Sequence, residues 1–406
     1  MIPFSPPRID KKIVDAVIET LYSGWITTGQ RTKKFEQMLT MFGGHHSTLC
    51  VNSATSGLEL MLRWFGAGEG DEVIVPAYTY AATANVVLHC GATLVLVDCG
   101  KDFNISLKAI ENAITTKTKV IIPVDIAGFP CDYDEINQLV KRPDILKKFT
   151  PVSQEQKMLK RILVLSDAAH SLGAYYKGRR TGKLADLSIF SFHAVKNLTT
   201  AEGGAICLNL PEPFDNQQVY SDLCIKSLHG QSKDALTKTQ AGSWKYNILE
   251  AGYKYNMTDI QASMGIIELE RYDSDMLVRR KRIFNLYSSL LSQYSWAQLP
   301  EYENADKSSS YHIYQLRIAD ITEMQRDEII AGIFKREVAV NVHFVPLPMF
   351  SFYKNLGYKM DDYPVSYKNY SQEITLPVYY DLTDEQVHTV VNAVAGSVGE
   401  VTGRIK

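Results

Sequence analysis

Five short apolar runs separated by other stretches, three of them helix-like, constrain this chain more than any other feature. They are "STLCV" (47–51), "EVIVP" (72–76), "ATLVLVD" (92–98), "KVIIPVD" (119–125) and "RILVLSD" (161–167). Apolar runs without alternation are strands covered on both faces. "SATSGLELMLRWF" (53–65) reads as a helix stopped by Gly66, Gly68 and Gly70. "TYAATANVVLHC" (79–90) and "SLKAIENAI" (106–114) read as two more. Strands alternating with helices over about 200 residues predict an α/β fold, a mostly parallel sheet with helices on both faces. In such a sheet ligands sit outside the carboxyl ends of the strands.

Ile13, Val14, Val17, Ile18 and Leu21 give an earlier amphipathic helix after the "PFSPP" lead-in. After Asn256 the pattern changes. Residues 258–291 read as long helix, capped by Thr258 or Asp259. "SSYHIYQLRI" (309–318) and "AVNVHFVP" (339–346) read as strands, and "TDEQVHTVVNAVAG" (383–396) as a closing helix. The expected organisation is a large α/β domain over 1–260 and a smaller α+β domain over 261–406, with a charged surface insertion near 141–160.

A net charge of −2 over 406 residues leaves no electrostatic footprint for nucleic acid or an anionic membrane. The basic run Arg279-Arg280-Lys281-Arg282 reads as a solvated helix face. The N-terminal residues lack the pattern of a signal peptide, and no run reaches the roughly 18 apolar residues of a membrane span. Six cysteines without metal spacing read as reduced core thiols, which predicts a cytoplasmic protein with no metal site.

The stretch "SIFSFHAVKNLTTAEGGAI" (188–206) carries the chemical question. Lys196 is expected at the end of its strand, and Asp167 closes "ILVLSD" at another. The two could form a structural ion pair. They could equally hold two ends of one cofactor, the carboxylate on a pyridinium nitrogen and the amine on an aldehyde. "NSATSGLEL" places Ser53, Thr55, Ser56 and Gly57 where a strand gives way to a helix. That is an anion cradle or a plain N-cap. In "PAYTYAAT", Tyr78 and Tyr80 offer stacking faces or ordinary core.

These segments, with "SGWITTG" (23–29), "SDAAHSLGAYYKGRRTGKLADLSIFSFHAVKNLTTAEGGAI" (166–206) and "GYKYNMTDIQASMG" (252–265), closely resemble the DegT/DnrJ/EryC1/StrS family. Its members are pyridoxal-phosphate (PLP) aminotransferases of fold type I acting on nucleotide-linked keto-sugars. The resemblance implies that Lys196 is the Schiff-base lysine and proton shuttle, and that Asp167 pairs with the pyridine nitrogen. It implies that His170 lies beside the cofactor's phenolic oxygen and that Tyr80 stacks on its ring. Thr55, Ser56 and Ser191 match phosphate contacts. Asn256 matches a residue reaching the neighbouring subunit's phosphate, which implies a homodimer with shared sites. His312 and His343 would line the sugar side. The implied partners are an amino-acid donor, L-glutamate foremost, and a nucleotide-diphospho keto-sugar. "GYKYNMTD" and "YYKGR" lean toward amination at C4 of a UDP-linked sugar, in surface-glycan or antibiotic-sugar biosynthesis. Ser166 and Ala201 depart from the usual Glu and Gly. The alternatives are a sugar dehydratase on the same scaffold, in a branch of which histidine replaces the lysine, and a PLP-binding regulator without catalysis.

Overall fold

A computed structural model describes residues 1–232 and 245–404. Thirteen short strands are found among them: β1 (Ser47–Val51), β2 (Glu72–Pro76), β3 (Thr93–Val97), β4 (Thr118–Ile121), β5 (Leu163–Asp167), β6 (Tyr175–Tyr176), β7 (Arg179–Arg180), β8 (Leu187–Ser191), β9 (Gly204–Leu208), β10 (Ala297–Gln298), β11 (Lys307–Ser308), β12 (Tyr314–Ile318) and β13 (Glu373–Leu376). Seven of them form the main sheet in the order β1-β9-β8-β5-β4-β2-β3. The pairs β3/β2, β2/β4, β4/β5 and β5/β8 are parallel. Strand β9 alone runs against its neighbours β8 and β1. The fold is therefore the α/β type that the sequence predicts. All five expected runs are strands, and β1, β4 and β5 are buried along their whole length.

This topology gathers one edge. Because β9 is antiparallel to both β8 and β1, those two run the same way. The carboxyl ends of β1, β2, β4, β5 and β8 thus face a common crevice. The loops leaving them begin at Asn52, Ala77, Ile122, Ala168 and Phe192.

A second core lies around the sheet β10-β12-β13. Ile283, Tyr287, Leu316, Ile333, Ile374 and Val394 belong to it, from helices Leu277–Leu291, Glu323–Lys335 and Asp384–Thr402 and the strands between. Residues further along reach back to the first core. Leu347 and Tyr353 are buried there, and the Tyr353 hydroxyl donates to Asn85 Oδ1 at 2.7 Å. Two short helices, Pro143–Leu146 and Gln154–Leu159, occupy the charged stretch.

Four details differ from the sequence reading. The strand before Lys196 ends at Ser191, so the lysine lies in the turn that follows. Residues 339–346 form no strand; their backbone pairs with β13 through the isolated bridge Asn341↔Thr375. The long helix breaks at Arg271 into Asp259–Glu270, a five-residue π turn and Leu277–Leu291. The basic run is not wholly solvated. Four successive helical residues point around the whole circumference, so one must face inward. That one is Arg280, 3% exposed, which donates to the carbonyls of Tyr311 (2.8 Å), His312 (2.6 Å) and Val378 (3.1 Å). An Arg280→Met protein, leaving three carbonyls without their donor, should lose about 3 kcal/mol of stability or more. Urea unfolding measures this.

Candidate active site

A cavity of 460 Å³ opens at the gathered strand ends. Thr55, Tyr80, Asp167 and His170 line it, as do Ser191, Lys196, His312 and His343. A larger cavity of 820 Å³, bounded by residues such as Asp102, Lys307 and Arg317, contains none of the candidates. Two sequence candidates are placed elsewhere. The Ser56 hydroxyl turns back onto Asn52 Oδ1 (2.6 Å), and Ser53 lines the cavity in its stead. Asn256 lies off this cavity, donating to Thr28 Oγ1 at 2.6 Å.

Asp167 is 6% exposed at the end of β5. Thr83 Oγ1 donates to its Oδ2 (2.8 Å), and the Ala169 N–H to its Oδ1 (3.2 Å). Burial pushes this carboxyl up, against those two hydrogen bonds and the nearby Lys196 ammonium. Lys196 sits part-buried on the cavity wall, where desolvation brings its amine down to about 8 despite the Asp167 charge. A lysine poised there carries a reactive neutral fraction at neutral pH.

The His170 and His312 rings lie tilted at 50° with centroids 4.4 Å apart, and burial holds both well below the ordinary histidine range. Asn197 settles the His312 tautomer. Its Nδ2 donates to the Ser310 carbonyl (2.7 Å), so its Oδ1 faces His312 Nδ1 at 2.8 Å and must accept from it. His170 Nδ1 is buried with no partner among the described residues. At the mouth Tyr80 is 65% exposed, 6.0 Å from the Phe344 ring. Phe4 stacks over His343 at 5.6 Å, bringing the N-terminal lead-in onto the site.

The anion cradle has a physical basis. Helix Ala54–Trp64 starts at the cavity, and its cap Ser53 accepts the Ser56 N–H at 3.1 Å. Ala54 and Thr55 line the wall with first-turn N–H groups that helix geometry leaves without an intrahelical acceptor. Strand β9 comes so close that a Cβ on Gly204 would lie 2.6 Å from Ala54 N. Only glycine fits this approach. An anion cradle, an enclosed amine, an enclosed carboxylate and an orphaned imidazole nitrogen are the donor set that an aromatic aldehyde phosphate requires.

Thr83, Asn197 and Phe4 are not among the candidates that the sequence offers. Thr83 stands one helical turn from Tyr80 and Asn197 beside Lys196, so adjacency was the available signal. Phe4 had none, since its place depends on Ile2 pairing with Val338 far along the chain.

Comparison with known proteins agrees with this geometry. The family model "DegT/DnrJ/EryC1/StrS aminotransferase family" matches residues 7–147 and 151–395. The putative sugar aminotransferase Spr1654 from Streptococcus pneumoniae, solved in a PMP-form, superposes with a TM-score of 0.95 at 46% identity, covering 99% of this chain and 100% of that one. PseC of Helicobacter pylori, an aminotransferase involved in the biosynthesis of pseudoaminic acid, gives a TM-score of 0.86 at 27% identity over 98% of this chain and 99% of that one. The spore coat polysaccharide biosynthesis protein SpsC of Bacillus subtilis is 35% identical over 398 residues, 97% of this chain and 96% of its own. The fold and site define an aminotransferase of the fold type I class. This chain belongs to the DegT/DnrJ/EryC1/StrS aminotransferase family.

Proposed function

We propose that the chain moves the amino group of L-glutamate to C4 of a UDP-linked 4-keto sugar, a 4-keto-6-deoxy or related hexose, for a surface glycan or an antibiotic sugar. The observation that carries it is the enclosed pair of Lys196, its amine at about 8, and Asp167 in one cavity with an anion cradle. The cofactor is PLP, also in its amine-bearing PMP form, which supplies an aldehyde to receive nitrogen and a ring that withdraws electrons from the attached carbon.

The residues divide that work. Lys196 Nζ holds the cofactor covalently between turnovers and, when released, takes and returns the proton at the reacting carbon. Asp167 keeps the ring nitrogen protonated, its own orientation fixed by Thr83 and Ala169. Thr55 and Ser191, with the first turn of helix Ala54–Trp64, hold the phosphate. The orphaned His170 Nδ1 supports the reading that this ring meets the phenolic oxygen. Tyr80 stacks on the cofactor face, and His312 and His343 face the sugar. Asn256 and the hydroxyl of Ser56, off their own cavity, are read as serving the partner subunit's phosphate and the cradle's inner wall, so the working unit is a homodimer. Cytoplasmic placement is supported by the six cysteines, none of them in a disulfide among the described residues. The large domain is taken as 1–260 and the small one as 261–406.

Turnover of a panel of UDP- and dTDP-linked 3- and 4-keto sugars with glutamate tests the substrate. Conversion of a UDP-linked 4-keto sugar alone is the expected result, and exclusive use of a 3-keto sugar overturns it. The amine also sets a pH dependence. Only neutral Lys196 attacks an aldehyde, so the rate at which cofactor-free protein takes up PLP should rise with pH to a plateau above about 8. An ordinary lysine would rise until about 10.4. Stopped-flow absorbance follows it.

A further inference from the structure

His343 is gripped at both backbone groups and at its ring. Its N–H donates to Glu373 Oε2 (3.0 Å), and its carbonyl accepts from Tyr78 (2.6 Å) and Gln315 Nε2 (2.5 Å). Its ring Nδ1 lies 3.1 Å from Thr375 Oγ1, and that hydroxyl lies 2.5 Å from Glu373 Oε1. Glu373 and Thr375 are two apart on β13, so both side chains leave the same face of the strand. Glu373 and Thr375 are themselves fully buried. The charged or titratable groups facing Glu373 are Arg317 on β12, Arg326 on helix Glu323–Lys335, Tyr78 from the loop after β2, and His343 itself.

One hydroxyl carries one proton, which makes the chain of bonds directional. Glu373 Oε2 must accept, because a backbone N–H points at it. With Glu373 ionised, the Thr375 hydroxyl donates to Oε1, so His343 Nδ1 must donate to Thr375. The ring then offers a bare Nε2. With Glu373 protonated at Oε1, every bond reverses: the carboxyl donates to Thr375, Thr375 donates to Nδ1, and the ring proton sits on Nε2.

We propose that Glu373, acting through Thr375, is a positioning residue that selects the His343 tautomer, and so decides whether this ring offers the acceptor sugar an N–H or a lone pair. The sugar half of the proposal rests on the functional reading above; the tautomer half does not. Burial raises the Glu373 carboxyl to about 8, against the Thr375 and His343 hydrogen bonds and the two guanidinium groups. Burial and Lys196 hold the His343 ring near 4, so it stays neutral and keeps a single proton through the working range. A carboxyl is protonated below its pKa, so the donor form of His343 belongs to the lower pH and the acceptor form to the higher.

Nitrogen NMR of holoenzyme labelled at histidine, with the His343 signals identified by their loss in His343→Asn, reads the tautomer directly. Wild type should pass from protonated Nε2 at roughly pH 6 to protonated Nδ1 at roughly pH 10. Glu373→Gln should stay Nε2-protonated throughout, since its amide oxygen accepts the backbone N–H while its NH₂ donates to Thr375. Thr375→Val should lose the pH response, and Thr375→Ser should restore it. In kinetics, KM for the keto-sugar should change about tenfold across the transition, more than kcat does, and Glu373→Gln should remove that change. A wild-type His343 that keeps one tautomer across the range, or a Glu373→Gln protein that switches like wild type, overturns the proposal. A ring that switches as described in a protein that aminates no keto-sugar upholds the relay and removes the sugar reading instead.

Discussion

Lys196→Ala protein should turn over at least ~10³-fold more slowly than wild type, with glutamate and any accepted keto-sugar. Two losses combine. On the proposed reading the covalent hold on the cofactor would disappear, and so would the amine that carries the proton. The neighbouring imidazoles of His170, His312 and His343 are all pushed well down by burial, His343 to about 4, so they are poor proton acceptors at neutral pH. Folding should survive, because the lysine side chain lines a cavity and fills no part of the core. Added small amines should therefore restore part of the rate, as external substitutes for the missing proton carrier. Retention of full turnover by Lys196→Ala would refute the assignment.

Asp167→Asn should slow turnover by about 10²–10³-fold while leaving the cofactor bound. Asparagine preserves the shape: its Oδ1 still accepts the Ala169 N–H, and its Nδ2 meets the Thr83 hydroxyl, which turns from donor to acceptor, so the change removes the charge and reverses one hydrogen bond. On the proposed reading, what vanishes is the anion that would keep the pyridine nitrogen protonated, and with it the pull on the reacting carbon. The defect should fall on both half-reactions equally, because the electron withdrawal that the ring would supply serves both. Single-turnover measurement of each half-reaction checks this. A variant impaired only with the sugar would mean that Asp167 acts on substrate recognition instead.

The fold was legible where burial on both faces leaves its mark. Runs such as "ILVL" (162–165), buried at every position, are apolar throughout, so the strands and the crevice at their ends could be read in advance. The small sheet was harder. Segment 339–346 has a strand's composition, yet its His343 N–H goes to a Glu373 carboxylate instead of a neighbouring strand. No local pattern signals a side chain replacing a ladder partner. Arg280 failed for a related reason: its acceptors are carbonyls of residues 311, 312 and 378, brought near only by tertiary packing. The candidate site was legible as chemistry because Asp167 closes β5, Lys196 lies in the turn after β8 and the cradle opens a helix, all at one edge of the sheet. That the Ser56 hydroxyl turns away could not be read, because this helix start carries three hydroxyls, Ser53, Thr55 and Ser56, and only the fold decides which of them face the crevice.

The central claim is one bond between Lys196 Nζ and the aldehyde carbon of PLP. Borohydride reduction of the PLP-loaded protein, followed by proteolysis and peptide mass spectrometry, tests it most directly. The reduced cofactor should be found on the peptide containing residues 188–206, attached at Lys196 and at no other lysine. Recovery of that peptide unmodified, with the label on a different lysine or on none, would contradict the account.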